Sequence, residues 1–286
     1  MARFEAMGAL AAGRVVVMGG FVNSSLGVTS RVDLYDPGTD SWSQSTPLPS
    51  AQTHVAVTAL GDQLALAGGF IGDARSWHTT DEVWIRAVDG SFRRGPSLLS
   101  PRAAAMAATL GGTMHVVGGL AADGTSDSGE HAAGDPAGPF RQLAALPNPR
   151  NHLGGAIIGG RLYVVAGRHG WDETAGDQPE LDVFDAASGA WGQGAPLPQA
   201  ASEIAGATFA AGGRLIVVGG SIAGAHPTAK VWSYDPATNA WTSLPDLPEP
   251  RKGAVAVAVG REIVVTTGSP TGIDPSATTW RGCCLF

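Results

Sequence analysis

The sequence predicts an all-β protein. It reads as six related units, each a four-stranded antiparallel sheet, stacked side by side into a closed ring. Three observations predict this. An apolar run ending in glycine recurs six times, at Gly20, Gly69, Gly119, Gly167, Gly220 and Gly268, at intervals of 48 to 53 residues. A second landmark recurs in step with it, usually an aromatic followed by turn residues and a tryptophan or phenylalanine. Glycine contributes 41 of 286 residues, about twice the ordinary share. With turn residues every 8–12 positions and no amphipathic 3.6-residue period, this composition points to short strands and tight turns.

Within one copy the elements follow in a fixed order. A strand of small residues comes first, such as AVAVAV at 254–259, and a Gly-containing turn follows. A β-branched strand then ends in the glycine pair, as in VVVMGG ending at Gly20. After a polar loop, the third strand carries the corner LYDP or SYDP, with Tyr35 or Tyr234. The fourth opens with an aromatic seven residues later, Trp42 or Trp241. Copies two to four offer Ile85 with Phe92, then Phe140, then Phe184 with Trp191. Copy six offers Ile273-Asp274-Pro275 and Trp280. Six residues beyond each aromatic stands Leu48, Leu98, Leu146, Leu197, Leu247 or Phe286. One such sheet cannot hide both faces, so neighbours must stack and the ring must close. The copies run over about 1–49, 50–99, 100–147, 148–198, 199–248 and 249–286, one domain over 1–286.

These landmarks resemble the kelch repeat, whose period is similar. The resemblance covers the whole chain and implies a six-bladed β-propeller. Copies four and six lose one glycine of the pair, and copies two and three carry Phe for Trp. In copy six, Ile273 follows Gly268 by only five residues, so a short or missing third strand is expected there, with Trp280 opening the outer strand. The chain begins in register with an inner strand and reaches Phe286 at the outer-strand leucine place. No strand shared between the first and last blades is therefore expected, and closure would rest on packing. Cys283-Cys284-Leu285-Phe286 also reads as a C-a-a-X box, but the register makes these residues the sixth outer strand.

Charge excludes several partners. Net charge is −7 and lysine occurs only at Lys230 and Lys252. No basic block exists to bind nucleic acid or an acidic membrane surface. No run approaches eighteen apolar residues, and the first residues carry an arginine and an acid without a long apolar stretch. A cytoplasmic protein is expected. Two adjacent cysteines make no disulfide framework.

The strand order places the start of each inner strand and the loop after each glycine pair on one face, around the channel mouth. Arg3, Gln52, Arg102, Arg150, Glu203 and Arg251 occupy the first position. Two residues on, a side chain in a strand points the same way, which adds Glu5, His54 and His152 beside Ala104, Ala205 and Gly253. The loops contribute Trp77-His78 and Arg168-His169-Gly170-Trp171, whose tryptophans fit no framework position. Arginine forks suit carboxylates, and loop tryptophans suit stacking. Asp123, Asp127 and His131, spaced by four, are similar to an acidic-histidine iron motif of the nitrile-specifier branch of kelch proteins. They are the only expected metal site, for Fe, Mn or Zn; otherwise no cofactor is expected. The copper-oxidase branch needs tyrosine ligands, and Tyr35, Tyr163 and Tyr234 sit on strands instead.

Two readings follow. In one, the mouth is a binding site for a polar or acidic small ligand or peptide, or for a protein partner. In the other, the same mouth is an enzyme site, an isomerase or lyase. The sialic-acid mutarotase type of kelch protein would then cast Arg102, Arg150 and Arg251 as a clamp, and Glu5, Glu203, His54 and His152 as proton carriers. A deep pocket with His and Glu in contact would favour chemistry; a shallow rim with tryptophans outward would favour binding.

Overall fold

The computed structural model describes residues 1–72, 76–171, 176–224 and 226–283. Its strands form six principal antiparallel sheets in chain order. The first runs Met7–Ala11, Arg14–Met18, Val32–Asp36 and Ser41–Gln44. The next four repeat this meander from Ala56, Met106, Gly154 and Thr208. The sixth has Lys252–Val259, Glu262–Ser269 and Thr279–Cys283. The first strands of neighbouring sheets lie side by side, and the first also meets the last, so the six close around an axis.

Small residues let these first strands crowd the axis: Gly8, Ala9, Ala107, Gly155 and Ala256 line the lower channel. Bulkier side chains fill the gaps between sheets. Val16, Met18 and Val32 of the first pack against Val55, Leu64 and Leu66 of the second.

The glycine pair ties each sheet to the next. Gly20 has φ +92°, and a Cβ there would run into the backbone of Phe4 and Ala6. Its N–H donates to the Gln52 carbonyl of the second sheet. The same bond joins Gly69 to Arg102, Gly119 to Arg150, Gly167 to Ala201, Gly220 to Arg251 and, closing the ring, Gly268 to Arg3, all at 2.7–3.0 Å. Among the described residues no strand is shared at the junction, and closure does not rest on packing alone.

A second girdle lies just inside. Glu5, His54, Ala104, His152, Glu203 and Gly253 all adopt φ between +49° and +59°. Around the channel, Glu5 donates to Gly253, Gly253 to Glu203, Glu203 to His152, His152 to Ala104 and Ala104 to His54, at 2.9–3.2 Å. The Thr53 hydroxyl completes the circle on the Glu5 carbonyl at 3.0 Å.

Two register expectations are corrected. In the fifth copy Ala201, not Glu203, takes the arginine place, and Glu203 rather than Ala205 takes the second position. A 3-10 turn at Ala205–Ala207 absorbs the extra residues before the strand. In the sixth sheet the third strand is present and contains Trp280, paired with Val265; an outer strand is absent among the described residues. Trp280 therefore serves the sheet interior, where the Arg251 guanidinium lies 4.3 Å from its ring. Leu285 and Phe286 of the C-a-a-X reading lie outside the described residues, as does Cys284.

The four arginines do not line the mouth. Arg3, Arg102, Arg150 and Arg251 are at most 1 % exposed and point into their sheets. Arg150 donates to Asp182 at 2.7 Å and to the Ala166 carbonyl at 2.6 Å. Arg3 does likewise to Asp33 and the Arg31 carbonyl, Arg102 pairs with Glu130, and Arg251 pairs with Glu249. The left-handed residue two positions on breaks the alternation of a strand, so the two side chains part. Gln52 is also buried, paired with Ile71. Removing one partner of such a pair strands the other charge. Arg150→Leu should cost about 3–5 kcal/mol in urea denaturation, and adding Asp182→Asn should recover part of that loss.

Candidate functional site

The left-handed girdle aims four ionisable side chains at the channel mouth. Glu5, His54, His152 and Glu203 form the floor of a cup of about 570 Å³. The two remaining positions of the girdle, Ala104 and Gly253, leave room; a Cβ on Gly253 would collide with the Glu5 carboxyl. Each non-glycine left-handed residue costs on the order of 1 kcal/mol, strain that collects at functional sites. Phe4, Phe21, Trp77 and Trp171 build an aromatic wall, while Arg168 and Lys252 supply positive charge. Phe21 and Trp77 stack at 5.1 Å, and Trp171 meets Phe70 edge-on at 5.6 Å.

The floor is wired. Arg168 donates to Glu203 Oε1 at 2.7 Å and to His152 Nε2 at 3.3 Å. His152 Nδ1 contacts the Asn151 side-chain oxygen, and the Asn151 amide donates to Asp127. These contacts make His152 an Nδ1–H tautomer whose Nε2 lone pair is occupied by Arg168. His54 Nε2 faces Glu5 Oε2 at 3.8 Å, and the two imidazoles meet edge-on at 4.9 Å.

Burial sets the protonation states. It pushes the Glu5 carboxyl well above its usual range, and the facing Glu203 charge adds to that. Burial also works to raise Glu203, but His152, Arg168 and Lys252 outweigh it and hold this carboxyl well below its usual range. Burial lowers His54 to about 4 and, with Arg168, takes His152 well below its ordinary value. The floor thus sets Glu5, a carboxyl that holds its proton more tightly than usual, against Glu203, one that gives it up more readily, beside two imidazoles that resist protonation.

Of the sequence-predicted residues, Glu5, His54, His152, Glu203, Arg168, Trp77 and Trp171 meet in the cup. His78 is exposed on the Ser76 carbonyl, and His169 leans on Asp127 at the rim. The proposed metal ligands do not converge. Asp123 caps its own turn through Thr125 and Ser126, which holds it at about 2. Asp127 braces Asn151 and the Gly170 N–H. His131 is fully buried within the third sheet, 2.8 Å from His115. A different trio, His54, His152 and Glu203, brings one ligand atom each within 4.8 Å. Arg168, however, already donates to two of those atoms. Sequence reading missed Lys252 and Phe21. Each adjoins a landmark, Arg251 and Gly20, and the residue after a landmark was the available signal.

Residues 9–49 and 207–248 match the family model of the Kelch motif. That match and the Kelch-like relatives support a kelch-repeat family. The Kelch-like protein terF of Aspergillus terreus is 29 % identical over 96 % of the kelch chain and 62 % of its own length. Kelch-like protein 35 of Mus musculus is 27 % identical over 82 % of the chain and 38 % of its own. The Kelch repeat and BTB domain-containing protein 13 of Homo sapiens is 36 % identical over 44 % and 27 %. The kelch chain thus spans less than two thirds of each of these relatives. Among the described residues, no helix is long and apolar enough to cross a membrane.

The buried His115–His131 pair makes stability pH-dependent. Burial lowers both, His131 to about 4. Between about pH 6.5 and 4 the unfolded chain binds protons that the folded one does not. The pair's contribution is therefore complete above about 6.5 and falls with pH, by up to about 1.4 kcal/mol per unit for each histidine. Urea midpoints at pH 7, 6 and 5 should fall steeply for the wild type, and less so for a His115→Leu/His131→Leu variant.

Proposed function

We propose that the cup binds a small anionic molecule with a flat or ring-shaped body. The observation that carries this is the meeting of two basic side chains, Arg168 and Lys252, with an aromatic wall in one cup. An entering carboxylate lies beside Arg168 and Lys252, while Phe21, Trp77 and Trp171 cover its ring. Of the two sequence readings, a cup that sets His54 3.8 Å from Glu5 and His152 3.6 Å from Glu203 favours the enzyme reading over a shallow docking rim, and an anion is the ligand class either would take.

Isothermal titration with phenylacetate and the isosteric phenylacetamide tests this. The carboxylate is expected to bind at least about 10-fold more tightly, the scale of one charged hydrogen bond. Lys252→Met is expected to erase that preference, and Trp77→Ala to weaken both ligands. Equal binding of acid and amide by the wild type would sink the reading.

A second reading has one observation in its favour. Trp171 and Ile273 at the rim are 43 % and 54 % exposed. An acidic side chain on a peptide or protein partner would place its carboxylate on the same floor and its neighbours on these residues. An acidic peptide that outcompetes phenylacetate would support it.

A further inference from the structure

Resting on the anion-binding reading, we propose that the cup also catalyses proton transfer. It interconverts the keto and enol forms of a ring-bearing 2-oxo acid, with His54 as base and Glu5 as acid.

Hydrogen-bond capacity selects these two. Arg168 occupies Nε2 of His152 and Oε1 of Glu203. Glu203 Oε2 is buried and as unpartnered as Glu5 Oε1, but the Glu203 carboxyl is held below its usual range and interacts with that of Glu5, so Glu203 and His152 serve to position Arg168 and the Glu5 acid. His54 differs. Thr53 Oγ1 donates its one proton to the Glu5 carbonyl at 3.0 Å, so at 3.1 Å it accepts from Nδ1–H of His54. The lone pair of His54 is thereby placed on Nε2, the atom facing Glu5 across 3.8 Å. Glu5 Oε1 is buried and has no hydrogen-bond partner. It faces the carboxylate of Glu203, and two carboxylates at close quarters do not both ionise, so Glu5 keeps a proton.

The step balances without a co-reactant. The C–H bond next to the ketone breaks and its proton goes to Nε2 of His54. The electron pair becomes the C=C bond, and the ketone oxygen takes the proton of Glu5. The products are the enol, an imidazolium and a Glu5 carboxylate. The last two stand 3.8 Å apart in the resting geometry, so the proton returns across the pair and the site resets. The substrate carboxylate lies toward Arg168 and Lys252. Its negative charge also raises the basicity of His54 in the complex.

Phenylpyruvate in D2O is the probe, because it carries a ring, a carboxylate and acidic methylene hydrogens. Loss of the methylene signal in proton NMR reports the transfer, and titration calorimetry reports binding. The wild type is expected to accelerate exchange at least about 10-fold over buffer. Glu5→Gln and His54→Gln are expected to lose about 100-fold of any catalysed rate measured at saturating phenylpyruvate, with a native circular-dichroism spectrum. Phenylpyruvate that binds the wild type without faster exchange overturns the proposal and leaves the anion reading standing. Failure of both phenylacetate and phenylpyruvate to bind removes both. Catalysed exchange that survives both variants overturns the assignment to His54 and Glu5.

Discussion

The architecture hangs on one backbone hydrogen bond made six times. The second glycine of each pair, or its equivalent, donates its N–H to the carbonyl at the start of the next sheet's first strand. The approach is so close that a Cβ on the first glycine, at Gly19, Gly68 or Gly219, would strike the accepting carbonyl, and one on the second, at Gly20, Gly119 or Gly220, would strike the backbone of its own copy, which is why the glycines recur where almost nothing else does. The bond also closes the ring, from Gly268 to Arg3, with no strand shared. The buried arginines add to the same junctions by satisfying carbonyls and carboxylates that the tight turn would leave stranded.

With the strand starts pinned, the chain must turn sharply into the channel, and the left-handed girdle follows. Five of its six residues give their N–H groups to the neighbouring copy, and the Thr53 hydroxyl supplies the sixth link. Four sheets place an acid or a histidine there; two place Ala104 and Gly253. That unequal filling of a repeated position makes a floor with direction. Glu203 and Arg168 hold one side, and Glu5 faces His54 on the other. Burial raises both carboxyls, but the charges beside Glu203 hold it down, so the two part in proton affinity although they are the same chemical group.

Much of this was legible in the residues. The glycine period and the aromatic offsets were enough for six stacked sheets. Trp77 and Trp171 stood out because they fitted no framework position, and both line the cup. The arginines misled for a physical reason. A period-two argument holds only while the backbone stays extended, and the left-handed residue two positions on ends that condition. The strand-start position was misplaced in the fifth copy, at Glu203 instead of Ala201, because the 3-10 turn at Ala205–Ala207 lengthens it. Trp280 was assigned to an outer strand by spacing, but Ile273 stays in the loop and Trp280 itself pairs with Val265 in the third strand.

By itself, then, the sequence determined the repeat, the all-β class, the ring and the set of polar residues at the strand starts. Each is a matter of local spacing, and spacing survives in one dimension. Which polar residues face solvent and which face the sheet interior was decided only in three dimensions. So were the pairing of Glu5 with His54 and the protonation states of the floor. Those depend on the sign of φ at single residues and on how much water four distant segments exclude when they meet. Neither quantity is carried by any one stretch of chain.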